Sequence, residues 1–266
     1  MVFSKSFIGK FCLFLFWWTA TIAVPITELV DEIETRENVT YIMKREAGDS
    51  ASDPVNAEFD ITGWENIAEE DCFVMLCLRG GNRVYQRVST ANGGRPHRTQ
   101  SGQALEPFHA DQLASRKTQQ INSRTISPEE FPWSSMQQGG EGAVVLPATM
   151  EEQDHQGAAI KNGYNAKNHV VGYDKWFKIT FTKPWGKYCA ALFKDPPPPD
   201  FSVCGNEEQS TLFGTASVVL ANFVYYVVRT QRPYIFHHAA GSRKDQRAIE
   251  FEEVDDRQAD DERFHF

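Results

Sequence analysis

Residues 127–135 read Ser127-Pro128-Glu129-Glu130-Phe131-Pro132-Trp133-Ser134-Ser135, and the chain runs on into Gln138-Gly139-Gly140-Glu141-Gly142-Ala143-Val144-Val145. Two adjacent carboxylates precede an aromatic-proline-aromatic unit, and a glycine-rich turn then opens an apolar stretch. Ser127 and Glu130 stand at capping-box spacing, with Pro128 at the first helical position. Pro132 falls at the fifth position, where it lacks the donor for the Pro128 carbonyl and would clash with it. A long regular helix cannot follow, so the stretch is expected to be a bent turn that holds Glu129 and Glu130 in a fixed orientation.

Working outward, Glu58-Phe59-Asp60-Ile61-Thr62 and Arg83-Val84-Tyr85-Gln86-Arg87-Val88 alternate, and residues 73–78 are continuously apolar. These read as strands, the middle one buried on both faces, with Gly80-Gly81-Asn82 as a hairpin turn. Residues 143–148 and 176–181 read as two further strands. Residues 90–103, almost without apolar side chains, read as a loop, and 107–116 as a short helix. Lys194-Asp195 followed by four prolines punctuates the chain. The expectation is a compact single α+β domain over residues 58–205, with a small mixed or antiparallel sheet and short helices.

The composition agrees with a folded domain. In 266 residues, 41% hydrophobic and 24% charged, neither wholesale disorder nor a multi-span membrane protein is expected. The charge is uneven. Residues 24–71 carry 14 acids against 3 bases, 72–242 carry 13 against 17, and 243–266 carry 9 against 5. A basic centre inside a chain of net charge -9 leaves a polyanionic partner open. Residues 1–23, with Lys5 and Lys10 ahead of an apolar run, read as a secretory signal peptide. Residues 24–45 read as a propeptide that ends at the dibasic Lys44-Arg45 and carries a glycosylation acceptor at Asn38.

Without the signal peptide, Cys72, Cys77, Cys189 and Cys204 remain, an even set in an oxidising compartment. Two disulfides are expected; loop size favours Cys72 with Cys77 and Cys189 with Cys204, although three pairings are open. Zinc is the weaker alternative, because no histidine pair stands at ligand spacing with Cys72 and Cys77. Residues 211–228 hold 18 positions without a charge. As a helix they would reach about 27 Å, just enough to span a membrane. Their Val, Tyr and Phe content suits buried strands equally well. Residues 243–266 read as a solvated charged tail.

The glutamate-aromatic-proline segment, the Gly-Gly turn and the Val-rich strand, followed by a polar stretch ending in Gln156-Gly157, resemble the NucA/NucB-type secreted deoxyribonucleases. The resemblance covers roughly residues 58–195, and an upstream arginine segment of the family corresponds to Gly93-Gly94-Arg95-Pro96-His97-Arg98. Glu130 matches outright. The family's Asp is Glu129 here, its frequent Cys is Pro128, and the Glu of its Glu-Gly-Gly is Gln138. The acidic and amide residues of its next block would be Glu152, Gln153 or Asp154.

The resemblance implies a secreted endonuclease that cuts DNA with Mg²⁺ or Mn²⁺ and little sequence preference. Glu129, Glu130 and His155 are the implied catalytic residues, Glu130 and Asp154 the metal ligands, and Arg95, Arg98 and Gln156 the DNA contacts. Either Glu129 or Glu130 also suits a general base. Phosphodiester hydrolysis suits such residues, since carboxylates hold the hard cation that polarises a phosphate oxygen and acidifies a bound water. Residues 79–124 add eight bases against Glu106 and Asp111. His97, His109 and His169 are scattered and carry little weight. No Gly-x-Ser-x-Gly elbow or P-loop supports a serine hydrolase or nucleotide-binding ATPase. From another class comes the alternative of an extracellular binding or effector module on a nuclease fold that has lost catalysis, on the strength of Glu129 and Gln138.

Overall fold

The computed structural model describes residues 46–115, 119–167, 169–205, 211–215, 217–228 and 235–239. The expected signal peptide, the expected propeptide with Asn38, Arg116, Lys117 and the tail 243–266 lie outside the described residues.

Two small sheets and short helices make an α+β fold. The first sheet has the order β1-β5-β2, with β1 at Val55–Phe59, β2 at Val84–Gln86 and β5 at Trp176–Phe181. β1 runs parallel to β5 with Val55 opposite Phe177, and β2 runs antiparallel to it. Alternation decides the buried face: Phe177, Ile179 and Phe181 point inward from β5, and Ala57 and Phe59 from β1. The second sheet is antiparallel, in the order β3-β4-β6-β7. Its strands are β3 (Ser127–Phe131), β4 (Val144–Ala148), β6 (Tyr225–Val228) and β7 (Ile235–His238).

Helix α1 spans Glu65–Phe73 and continues as a π-helical segment over Val74–Leu78. The strand expected at 73–78 is therefore helical. An uninterrupted apolar run carries no period, and here it is a helix buried on nearly all sides, Ile67 to Leu76. Gly80 and Gly81, at φ +63° and +81°, turn the chain from this helix into β2, so the expected hairpin is a helix-to-strand connection.

Residues 90–103, expected as a loop, contain helix α2 (Arg95–Ser101), which begins with Pro96 in its first turn and ends at Gly102 with φ +82°. Helix α3 (Ala110–Ser115) forms where a short helix was expected. Helix α4 (Met150–Tyr164) starts at Thr149, whose hydroxyl accepts from the Glu152 backbone N–H, and α5 covers Lys187–Leu192.

The disulfides join Cys72 to Cys189 and Cys77 to Cys204, against the pairing that loop size favoured. Cys72 and Cys77 lie five residues apart on one helical rod, about 7.5 Å along its axis at roughly 1.5 Å per residue. That exceeds the roughly 7 Å a disulfide tolerates between Cα atoms. Each cysteine instead reaches a distant segment, α5 for Cys72 and the 3₁₀ turn Phe201–Cys204 for Cys77. The apolar segment 211–228 contributes a 3₁₀ turn at Leu220–Asn222 and then β6, so the chain past Cys204 continues into the second sheet. Among the described residues no helix is long and apolar enough to cross a membrane.

Candidate active site

The stretch expected as a bent turn is strand β3, paired with β4 so that Glu129 faces Leu146 and Glu130 faces Val145 across the ladder. Pro128 sits opposite Pro147 and is tolerated because β3 is an edge strand. Successive strand residues point to opposite faces. Glu129 and Glu130 therefore leave the backbone in opposite directions, and the single paired site that the sequence implied splits in two.

Glu129 turns toward α4. The Gln156 side-chain amide donates to Glu129 Oε1 at 2.6 Å, and the Gln153 amide donates to Glu129 Oε2 at 3.2 Å and to the Pro128 carbonyl at 2.6 Å. Three residues apart on a helix, the two glutamines share one face. On the same side Asp71 accepts from Trp133 Nε1 at 2.9 Å, and Glu152 accepts from the Asn66 amide at 2.6 Å. Glu70 is fully buried, and neither of its oxygens has a hydrogen-bond partner.

These acids resist ionisation. Burial, followed by the charges of Asp71, Glu152 and Glu129, pushes Glu70 well above the usual carboxylate range. Burial and Glu129 do the same to Asp71, against the Trp133 and Gln156 hydrogen bonds. Glu129 is pushed up to about 8 by burial first; the Gln156 bond opposes this, and the Glu130 charge adds to it. This face of β3 is a proton-holding cluster.

Glu130 turns toward α2. Both its oxygens are buried and without a hydrogen-bond partner. Burial raises it, while the Ser101 and Ser134 hydroxyls, near enough to favour the charge without meeting hydrogen-bond geometry, and then the charges of Arg98 and His97 oppose the rise. Helix α2 is pressed onto the glycine turn that follows β3. A Cβ at Gly94 would lie 2.5 Å from the Ser134 carbonyl oxygen, and one at Gly140 2.5 Å from Gln100 Oε1 and 3.0 Å from His97 Cδ2. The same contact brings His97 Nδ1 to 2.9 Å from the Ser134 carbonyl. A carboxylate with unsatisfied acceptors, a histidine, two hydroxyls and an arginine thus converge on one face, and the chemistry of phosphodiester cleavage asks for such a set.

A family model described as Deoxyribonuclease NucA/NucB matches residues 72–179. This stretch is similar to a NucA/NucB domain. No curated protein matches the chain. The matched residues include α2, β3, the glycine turn, β4 and α4, whereas Glu70 and Asp71 stand just before them.

Within the matched stretch the structure brings together only part of the set read from sequence. The charge of Arg98 reaches both Glu130 and Glu129, and Arg95 is exposed in the first turn of α2. Gln156, expected to touch DNA, is buried and spends its amide on Glu129. Asp154 is exposed on α4, two residues and about 200° of helical rotation from Gln156, so it does not join Glu130. His155 is also exposed, its ring against Gly63 in a surface pocket shared with Glu58, Asp60 and Asn162. Gln138, in place of the family's Glu, accepts from the Gln86 backbone N–H at 3.0 Å.

Several bases of the 79–124 stretch are committed to packing. Arg87 stacks between Tyr164 and Tyr173, Arg83 lies over Phe193, and Arg79 donates to the Gly142 carbonyl. Sequence reasoning gave little weight to His97, and none to Ser101, Glu70 and Asp71. The signal for His97 and Ser101 was present in Gly94, Pro96 and Gly102, which bracket a helix with favoured start and stop residues.

Proposed function

We propose that the NucA/NucB domain is a secreted, metal-dependent endonuclease that hydrolyses DNA phosphodiester bonds with little sequence preference. The observation that carries this reading is the Glu130 carboxylate, buried with both oxygens unpartnered beside Arg98 and His97 in the segment matched to the deoxyribonuclease family.

Among the described residues no three His, Cys, Asp or Glu side chains are grouped to hold a metal ion. Mg²⁺ needs no such cage, since it is commonly held by one or two carboxylates, with water and substrate phosphate completing its shell. Glu130 fits that role by donor chemistry; Glu129 does not, because it faces away and its oxygens are taken by Gln153 and Gln156. Mg²⁺ or Mn²⁺ bound there supplies charge to a phosphate oxygen and acidifies water. Arg98 and Arg95, exposed on α2, grip phosphates, and contacts of this kind carry no sequence information. The signal peptide 1–23 and the two disulfides support secretion, with residues 24–45 removed after Arg45.

The expected result is nicking of supercoiled plasmid by chain beginning near Glu46, with Mg²⁺ or Mn²⁺ and not with EDTA. One observation favours a second reading. Gln138 is turned into a backbone hydrogen bond where the family carries Glu, as expected of a nuclease fold kept for binding. Duplex binding without nicking under any of these conditions would establish that module and refute the nuclease.

A further inference from the structure

We infer that the exposed ring of Tyr173 is a platform on which the base of an unpaired nucleotide stacks, so that the chain engages single-stranded DNA; the inference rests on the nuclease reading above. Three planes lie one on another. The Arg87 guanidinium carbon is 4.4 Å from the centre of the Tyr164 ring and 4.2 Å from that of Tyr173, and Nη1 donates to the Val171 carbonyl at 2.5 Å. A cation held over two ring faces attracts both and fixes their spacing. Tyr164 closes the inner end of the stack, since it is buried and its hydroxyl shares a 2.9 Å hydrogen bond with Ser135 Oγ. The outer end is open. Tyr173 is 45% exposed although Arg87 covers one of its faces, and Val170 in the same loop is 64% exposed.

The turn that presents this ring is held under strain. Asp174, the next residue, sits at φ +60°, an unfavourable conformation for a residue with a Cβ. Its carbonyl accepts from Gln86 Nε2 at 2.8 Å, its N–H donates to the Val88 carbonyl at 3.3 Å, and the Arg87 N–H donates to the Lys175 carbonyl at 2.9 Å. A ring fixed in this way loses little freedom when a ligand covers it. The turn offers no free cation, because Lys175 is taken by Asp49 at 2.5 Å and Glu46 at 3.5 Å, and Asp174 is an exposed acid. What it offers is a flat apolar face, which suits a base and not a phosphate. Unpaired bases show such faces, whereas a duplex hides them within its own stack. Phosphates belong to α2, whose arginine-bearing end is anchored close by. A Cβ at Gly93 would lie 3.0 Å from Val88 Cβ, and one at Gly94 2.5 Å from the Ser134 carbonyl oxygen. Val88 adjoins Arg87 in the chain, and Ser134 adjoins Ser135, so one strand meets the arginines of α2 and the platform together.

The competing role is packing, a ring that merely shields Arg87, and Tyr173→Leu separates the two. Leucine still covers the guanidinium but has no ring face. Binding is read by fluorescence anisotropy in EDTA, so that the DNA survives, on two labelled strands of equal length and charge, an oligothymidylate and a strand abasic throughout. The parent should bind the oligothymidylate about 5- to 100-fold more tightly than the abasic strand, the range for one base stacked on an aromatic ring. Tyr173→Leu should lose that margin, binding the abasic strand as the parent does and melting within a few degrees of it. Tyr173→Phe, which keeps the ring, should bind both strands as the parent does. A parent that does not distinguish the strands overturns the inference without any variant. So does Tyr173→Leu binding oligothymidylate as tightly as the parent, or losing equal affinity for both strands. Plasmid nicking with Mg²⁺ or Mn²⁺ is a separate readout. A parent that nicks while Tyr173→Leu keeps full affinity overturns the platform alone, whereas a parent that distinguishes the strands and nicks nothing keeps the platform and refutes the nuclease.

Discussion

Glu129 and Glu130 are neighbours in sequence whose side chains leave β3 on opposite faces, because successive strand residues alternate, although each still lies within reach of the same Arg98 charge. Glu130→Gln should abolish metal-dependent nicking and leave the melting temperature unchanged or slightly higher. A buried carboxylate without partners becomes a neutral amide of the same shape, which removes a charge and opens no cavity. Normal nicking by that variant would show that the carboxylate has no part in cleavage. Glu129→Asp separates sequence from structure more sharply. By resemblance, Asp restores the family residue and keeps its role. In the structure the full length of Glu129 is used to meet Gln156 at 2.6 Å, so the shorter side chain should cost about 1–2 kcal/mol in urea denaturation. The motif made Glu130 legible as the residue to watch. The opposed directions were not legible, because the capping-box pattern of Ser127 to Glu130 competes locally with a strand whose partners lie in β4, 13 to 21 residues away.

Among the elements, the strands at 143–148 and 176–181 lie where the sequence places them, β5 with a strict in-and-out pattern and β4 buried at all five positions. The alternation at 58–62 misplaced its strand: β1 covers Val55–Phe59, and the chain turns after it. The helical rod α1 was hidden by its own burial: Glu69, Glu70 and Asp71 look like solvent residues and are all interior. Glu69 is there because its carboxylate accepts the Tyr188 and Cys189 backbone N–H groups at the start of α5, at 2.8 and 3.1 Å. Helix α2 was missed for the opposite reason, having almost no apolar residues and depending on its seat over the glycine turn. That seat can be tested with Gly140→Ala. The residue has φ +74°, and an added Cβ would sit 2.5 Å from Gln100 Oε1. Conformational strain and the displaced contact should together destabilise the fold by about 1–3 kcal/mol and reduce nicking, as α2 carries Arg98 and His97 away from Glu130. Unchanged urea midpoint and unchanged nicking would mean that α2 is not held there.

At the scale of the whole molecule, the two disulfides and the buried acids set the conditions under which the fold persists. The bridges join residues 117 and 127 positions apart, so each closes most of the compact region and restricts the unfolded chain strongly. Cys77→Ser with Cys204→Ser should cost about 2–4 kcal/mol, measured by denaturation without reductant. Such pairing was not legible in cysteine spacing, because it depends on α1 and α5 packing together. The acid cluster predicts a pH dependence of definite sign. Glu70, Asp71 and Glu129 all titrate above their ordinary values when folded, so the native state holds protons that the unfolded chain releases. Below the unfolded range, near pH 4, both states are protonated and the full stabilisation is present. As pH rises beyond it, stability declines, by at most about 1.4 kcal/mol per pH unit for each such group, until the folded carboxyl itself ionises; for Glu129 that is near pH 8. The melting temperature should therefore fall between pH 5 and pH 8. Glu70→Gln, which keeps the shape and cannot ionise, should raise it at pH 8 much more than at pH 5 and flatten the slope between them. An equal shift at both values would show that Glu70 holds no extra proton in the folded protein and that its charge is balanced within the core.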